Sequence, residues 1–196
     1  MDIKQFVNSI YNSNTFVVYE GNEAIIIDLG DFKPIKHFLS ENNLNPKAVF
    51  ITHTHYDHIY GVKEFMESYP EIPVYTSKEG KESFNNPKWN FSRYHDDPIS
   101  INSDKIMPLK DGDKIEVFPN YTLETIATPG HDHSCLSFKI LNNIFTGDSY
   151  IPGIKVVDNF PKSDKSLAQE WYTKLELLSH NNNIYPGHCD PQFPES

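Results

Sequence analysis

The chain has 196 residues, with 27 acidic against 17 basic side chains and a formal net charge of −10. That length holds one domain with a sizeable core, and residues 1–196 are read as a single domain. The charge balance argues against a long nucleic-acid track, which needs clustered Lys and Arg to neutralise phosphates, but not against a small anionic substrate, because a bound dication reverses the local field.

Predicted elements follow in chain order. "TFVVYE" (15–20) and "EAIIIDLG" (23–30) flank the turn signal "GN" and read as a β-hairpin. "KPIKHFLSENN" (33–43) has helical spacing at Ile35, Phe38 and Leu39, with Pro34 acceptable in a first turn. "AVFITH" (48–53) is a short apolar run, as expected of a strand buried on both faces. "HIYGVKEFMESY" (58–69) reads as one helix with Val62, Phe65 and Met66 on a face. "PVYTS" (73–77) is a further strand, and "SKEGKESF" (77–84) a short helix with Ser77 as its cap. Residues 85–105 form a long irregular segment carrying Trp89, Phe91, Arg93, Tyr94 and His95; it reads equally as a pocket wall and as a surface loop pinned by aromatics.

In the second half, "KIEVFP", "YTLETIATPG", "CLSFKIL" and "NIFTG" are successive strands, with turns at Asp111-Gly112 and Asn142-Asn143. "SDKSLAQEWYTKLELLSH" (163–180) is the clearest helix, capped by Ser163 or Asp164, with Leu167, Trp171, Leu175 and Leu178 along a stripe. "NIYPGH" (183–188) closes as a strand and loop. Two such halves imply packed α/β layers. The two cysteines, Cys135 and Cys189, are too few for a disulfide framework, so a reducing compartment is expected. The first residues lack the basic segment and apolar core of a signal peptide, and no apolar stretch is long enough to span a bilayer. A soluble, cytoplasmic protein without membrane contact is the expectation.

"ITHTHYDHIYG" (51–61) places His53, His55, Asp57 and His58 within six positions, directly after an apolar run. Downstream, "TPGHDHS" places His131, "FTGDS" places Asp148 and "YPGHCD" places His188, each where a strand gives way to a loop. Loops at strand ends, held by a rigid sheet, are where α/β proteins gather their sites. One such histidine is ordinarily a solvated side chain, and Asp148 after Thr-Gly is also what a turn would carry. Four elements in this order, each at a strand end, point to a metal centre. Neutral imidazoles and carboxylates suit zinc and similar first-row cations, and a centre without thiolate ligands keeps its metal a strong Lewis acid. Two metals roughly 3.5–4 Å apart hold a bridging water as hydroxide near neutral pH.

These residues resemble the metallo-β-lactamase superfamily, whose signature H-x-H-x-D-H is followed by a His, an Asp and a final His. "HTHYDH", His131, Asp148 and His188 match it in order, across nearly the whole chain. "TPGH", "FTGD" and "YPGH" are similar to the glyoxalase II-like (hydroxyacylglutathione hydrolase-like) members, and "NPKWNFS" resembles small bacterial ones. The resemblance implies a four-layer αβ/βα sandwich of the α/β class. It also implies His53, His55 and His131 on a first metal, Asp57, His58 and His188 on a second, and Asp148 bridging. The implied cofactors are two zinc ions, with iron or manganese as the variants. The chain departs from the family in three places. "GHDHSC" stands where "GHTPGS" is usual, so that Asp132 and His133 replace Thr-Pro and Cys135 takes the serine position; His133 reads as solvent-facing. Cys189 stands where glycine is common, and reads as inert. The glutathione-holding helical domain of glyoxalase II has no counterpart after His188, which puts a glutathione thioester in doubt.

The activity this implies is hydrolysis of an ester-like acyl bond, a thioester or a relative, in a small-molecule substrate. A metal-bridged hydroxide would attack the carbonyl, and Asp57, the catalytic residue, would orient it. Phosphodiester hydrolysis and persulfide oxidation at a single iron are alternatives on the same fold, and a non-catalytic metal-binding module is the alternative of another class. Fold alone does not choose among them.

Overall fold

The computed structural model of the chain describes residues 1–194. Its first sheet has six strands in sequential order: β1 (Asp2–Val7), β2 (Asn14–Glu20), β3 (Glu23–Ile27), β4 (Asn45–Phe50), β5 (Val74–Ser77) and β6 (Ile106–Leu109). β1, β2 and β3 pair antiparallel, and β3 to β6 run parallel. The second sheet contains β7 (Lys114–Phe118), β8 (Tyr121–Ala127), β9 (Leu136–Ile140), β10 (Asn143–Gly147) and β11 (Asn183–Pro186), in the order β11-β10-β9-β8-β7. It is antiparallel except for the parallel pair β10 and β11.

The hydrophobic pattern explains how these sheets stack. β2 and β3 are apolar at almost every position, so each offers one set of side chains to either face. Val17, Ala24 and Ile26 face outward, where they pack with Val49, Ile35, Leu39, Val62 and Phe65 under α1 (Phe32–Glu41) and α3 (Val62–Ser68). Phe16, Val18, Ile25 and Ile27 face inward and meet Phe118, Leu123, Phe138 and Phe145 of the second sheet. α5 (Lys165–Ser179) covers the far side of that sheet, with Leu175 packed on Ile144, Tyr150 and Ile184. Three cores separate four layers, and the expected αβ/βα sandwich is the observed architecture.

The structure differs from the sequence expectation at four elements. The helix over 58–69 is two helices, α2 (Tyr56–Ile59) and α3. A continuous helix would pair Gly61 N–H with the Asp57 carbonyl. Here that carbonyl accepts the Ser13 hydroxyl at 2.7 Å, and Gly61 N–H bonds to Leu29 O at 3.1 Å instead. The face of α5 is also rotated. Ala168 and Leu175 are buried beside the partly buried Tyr172, whereas Leu178 is exposed and Leu167 and Trp171 are half-buried. Two edge strands, β1 and β6, come from stretches without a distinct strand pattern. β1 alternates exposed and half-buried positions, and β6 contains Pro108, which an edge position tolerates. The remaining helices fall as expected: Ser77 Oγ caps α4 (Lys78–Phe84) by accepting from Gly80 N at 2.9 Å, and Asp164 caps α5. No helix among the described residues is long and apolar enough to cross a membrane.

Phe138 sits at the centre of the inter-sheet core, fully buried and edge-on to Phe50 at 5.4 Å. Phe138→Ala is expected to cost about 3–5 kcal/mol of unfolding free energy, from lost burial and an unfilled cavity. Urea unfolding monitored by circular dichroism would show the midpoint falling at an unchanged slope.

Candidate metal centre

All the motif residues lie at the C-terminal ends of strands on one edge of the sandwich. β4 leads into His53 and His55, with Asp57 and His58 on α2. β8 leads to His131, β10 to Asp148 and β11 to His188. The two sheets are tied together there by backbone bonds, Leu136 N to Thr52 O at 2.7 Å and Asn14 N to Gly187 O at 2.7 Å. Glycines permit the close approach. A Cβ on Gly147 (φ 50°) would lie 2.4 Å from Thr52 Oγ1, and one on Gly187 would lie 2.1 Å from Asp148 Oδ1.

The seven side chains converge into three overlapping donor groups: His53, His55 and His131; His53, His58 and Asp148; and Asp57, His58 and His188. Within each group the donor atoms lie within 4.8 Å of one another. Asp148 stands in the middle. Its Oδ2 is 3.6 Å from His131 Nε2, 3.5 Å from His188 Nε2 and 4.0 Å from His53 Nε2, while its Oδ1 is 3.6 Å from His58 Nε2. Asp57 Oδ2 lies 3.3 Å from His58 Nε2 and 3.4 Å from His188 Nε2.

The outer face of each imidazole is fixed by a neighbour, which decides which nitrogen is free. His131 Nδ1 donates to Val157 O at 2.8 Å and His188 Nδ1 to Tyr11 O at 3.1 Å. His58 Nδ1 is bonded to Asp28 Oδ2 at 3.0 Å, and His53 Nδ1 lies 3.1 Å from Thr52 Oγ1. These four rings therefore turn their Nε2 atoms toward the centre. His55 is turned the other way. Its Nδ1 faces His131 Nε2 at 3.1 Å, and its Nε2 points toward Asp132 Oδ2, 3.6 Å away.

This donor set fits cations. His53 Nε2, His58 Nε2 and Asp148 Oδ1 are buried without a hydrogen-bond partner, although protein interiors rarely leave such groups unsatisfied. Two orphaned imidazole nitrogens and an orphaned carboxylate oxygen in one donor group, with Asp57 beside them, are what divalent-cation coordination would satisfy. Burial pushes His53 and His131 below the ordinary imidazole range. Burial opposes ionisation of Asp57 and Asp148, yet the surrounding imidazoles outweigh it and hold both carboxyls well below their usual range. Burial likewise opposes the charge on His188, but hydrogen bonds to Asp148 and Asp57 push its pKa up to about 10.

Two features lie beyond the motif residues. Asp28 ends β3 in a left-handed conformation (φ 53°), fully behind the centre. Its Oδ1 accepts from Thr52 N at 2.7 Å, and its Oδ2 accepts from Thr52 Oγ1 at 2.8 Å as well as from His58. The sequence signal was an acid closing an otherwise apolar strand, "AIIID". Asp132 plays a similar part for His55. His133, expected to face solvent, is half-buried instead, with Nδ1 3.0 Å from Asp132 Oδ1 and Nε2 3.1 Å from Lys162 Nζ. Cys135 is buried, and burial pushes its thiol well up; Cys189 is exposed.

The centre floors a cleft of about 620 Å³. Tyr11, Tyr56, Phe91, Tyr94, His95 and Phe160 wall it. The irregular segment 85–105 is therefore in part a pocket wall, with His95 stacked on Tyr56 at 3.8 Å and Phe91 packed on His55 at 4.8 Å.

The fold has counterparts among known proteins. The structure of BLEG-1 B3 metallo-beta-lactamase superposes with a TM-score of 0.88 at 25% identity, over 97% of this chain and 93% of the other. TTHA1623, solved in a di-iron-bound form, gives a TM-score of 0.83 at 21% identity, over 97% and 94%. ETHE1 from Myxococcus xanthus gives 0.74 at 22% identity, over 97% and 76%. The model of the metallo-beta-lactamase superfamily matches residues 9–188, from the loop after β1 to the last histidine of the cluster. With the histidine–carboxylate cluster at the edge of an αβ/βα sandwich, that match makes this chain a member of the metallo-beta-lactamase superfamily.

Proposed function

We propose that this protein is a metal-dependent hydrolase that cleaves an ester-like acyl bond, a thioester or a relative, in a small molecule. The observation that carries this reading is the orphaned Nε2 atoms of His53 and His58, gathered with Asp148 beneath a cleft with aromatic walls. His53, His55 and His131 would hold one cation, Asp57, His58 and His188 a second, and Asp148 would serve both. Zinc suits this nitrogen and oxygen set, with iron or manganese as variants. Cations bound there supply a hydroxide near neutral pH and an electrophile for the carbonyl oxygen. Completeness of the Asp57, His58 and His188 group supports a dinuclear centre over a single-iron one.

The chain's own groups account for the rest. Asp57 lines the open cleft, and its carboxylate is kept ionised by His58 and His188. It would orient the attacking water as well as hold a cation. The aromatic walls exclude bulk water from the acyl group and favour an apolar or planar substituent. Neither Lys nor Arg lines this cleft among the described residues, which suits a neutral acyl carbon better than a phosphodiester. A small-molecule substrate, no nucleic acid and a cytoplasmic setting complete the proposal.

Two outcomes test it. Purified protein is expected to carry two metals per chain by elemental analysis and to hydrolyse members of a thioester, ester and lactone panel. Chelation should abolish that activity and metal should restore it. Asp57→Asn should lower kcat by roughly 10²–10⁴ at unchanged circular dichroism. A fully metallated protein inert on the whole panel would sink the reading. Asp28→Asn keeps the shape but removes the charge that orients Thr52 and His58. A loss of roughly 10–100-fold in metal affinity is expected, measured by competition with a chromophoric chelator.

A further inference from the structure

A second, smaller pocket of about 170 Å³ lies beside the cleft and shares two of its walls, Phe91 and Tyr94. Lys88, Arg93 and Lys162 line it, together with Trp89 and Asp132. Three cations around one hollow are unexpected in a chain of net charge −10. Their freedom is more telling. The lysine–carboxylate ion pairs among the described residues use Lys47, Lys105, Lys114 and Lys174, and none involves Lys88, Arg93 or Lys162. Lys162 is held in place without a counter-charge: its Nζ stands 3.3 Å over the Trp89 ring and 3.1 Å from His133 Nε2. Arg93 lies over the Tyr94 ring, 4.6 Å from its centroid, so the guanidinium is positioned by the same wall that borders the cleft.

Asp132, the one acid in the lining, does not neutralise these cations. Its Oδ1 accepts from Ser134 N at 2.8 Å and Ser134 Oγ at 2.6 Å and lies against His133, and its Oδ2 faces His55. Through Asp132 and His55 the pocket floor is one side chain from the donor cluster. A group bound here lies just across Phe91 and Tyr94 from an occupant of the cleft.

We infer that this pocket binds an oxyanion substituent, a carboxylate or a phosphate, of the molecule whose acyl group lies at the metal centre. The inference rests on the acyl-hydrolase reading for its substrate, but on Lys88, Arg93 and Lys162 for its charge. Paired cations on aromatic faces bind such groups well, because the guanidinium fork and the ammonium donate charge-assisted hydrogen bonds. The aromatic cleft then selects the acyl side, and the basic pocket selects the other end.

The test uses the metallated protein and three acetyl thioesters that differ in the thiol: N-acetylcysteamine, neutral; 3-mercaptopropionate, a carboxylate; and 4′-phosphopantetheine, a phosphate. In the double variant Lys88→Ala/Arg93→Ala, the ratio of kcat/KM for an anionic thioester to that for the neutral one should fall at least ten-fold, through KM. The anionic probe with the larger fall identifies the oxyanion. Ratios within two-fold of wild type for both anionic probes overturn the inference and leave the hydrolase reading intact. If none of the three thioesters is cleaved, the pocket is read by Trp89 fluorescence in a Trp171→Phe background during titration with inorganic phosphate and with 3-mercaptopropionate. A saturable change weakened at least five-fold by the double variant supports the pocket. No change, or one the variant leaves unaltered, overturns it.

Discussion

One buried carboxylate holds the two halves of the candidate centre in register. Asp28 has no access to solvent, and burial raises its pKa above the usual carboxyl value even with His58 and Thr52 lowering it. An isolated carboxylate at such a place would be costly. It is tolerated because its oxygens accept from a backbone N–H, a hydroxyl and an imidazole. Those donors are themselves the scaffold of the site. Thr52 Oγ1 gives its proton to Asp28 and so is left to accept from His53 Nδ1, while His58 Nδ1 bonds to Asp28 directly. One acid thereby orients two imidazoles, His53 of the first donor group and His58 of the last. Its left-handed backbone is the local strain that this placement requires.

The rest of the edge is built by bringing backbones unusually near one another. Gly147 and Gly187 occupy points where any side chain would strike Thr52 or Asp148. The Gly187 N–H bonds to Gly147 O at 2.9 Å, which sets β11 against β10 just where both deliver a donor. The hydroxyls of Thr128, Ser137 and Ser149 link the bases of the loops that carry His131 and Asp148. The seven imidazole and carboxylate positions are thus set by residues outside the donor groups.

What was legible in the sequence follows from how local each signal is. "HTHYDH", "TPGH", "FTGD" and "YPGH" each place a donor just after a strand, so reading a strand end suffices to place the donor, and all seven side chains come together. Strands β2, β3 and β4 were legible because two-sided burial writes an unbroken apolar run. Edge strands β1 and β6 lack that signature because one of their borders faces solvent. The break between α2 and α3 was hidden because it depends on Ser13 and Leu29, distant in sequence, taking over the helix's hydrogen bonds. The face of α5 was misread because leucine periodicity on an amphipathic helix does not say which of two adjacent stripes a sheet will cover. Asp28 and the Asp132–His133 pair were visible as residues but not as partners, since what makes them matter is the opposite end of each hydrogen bond.

The centre is also the place where the chain's most distant parts meet. His188 Nδ1 bonds to the carbonyl of Tyr11, 177 positions away. Asn14 Nδ2 donates to the carbonyls of Pro186 and Cys189, and Ser13 bridges to His188 in the backbone. No donor group is complete within one sheet: the first needs His131 from the second sheet beside His53 and His55, and the last needs His188 beside Asp57 and His58. Contacts so far apart in sequence carry a high loop-closure cost. Cations held by these donor groups would bind only the docked arrangement, so their binding free energy would add to the stability of the interface between the sheets. The hydrophobic cores hold each layer together, but the histidine–carboxylate edge is what makes the two sheets one reactive surface.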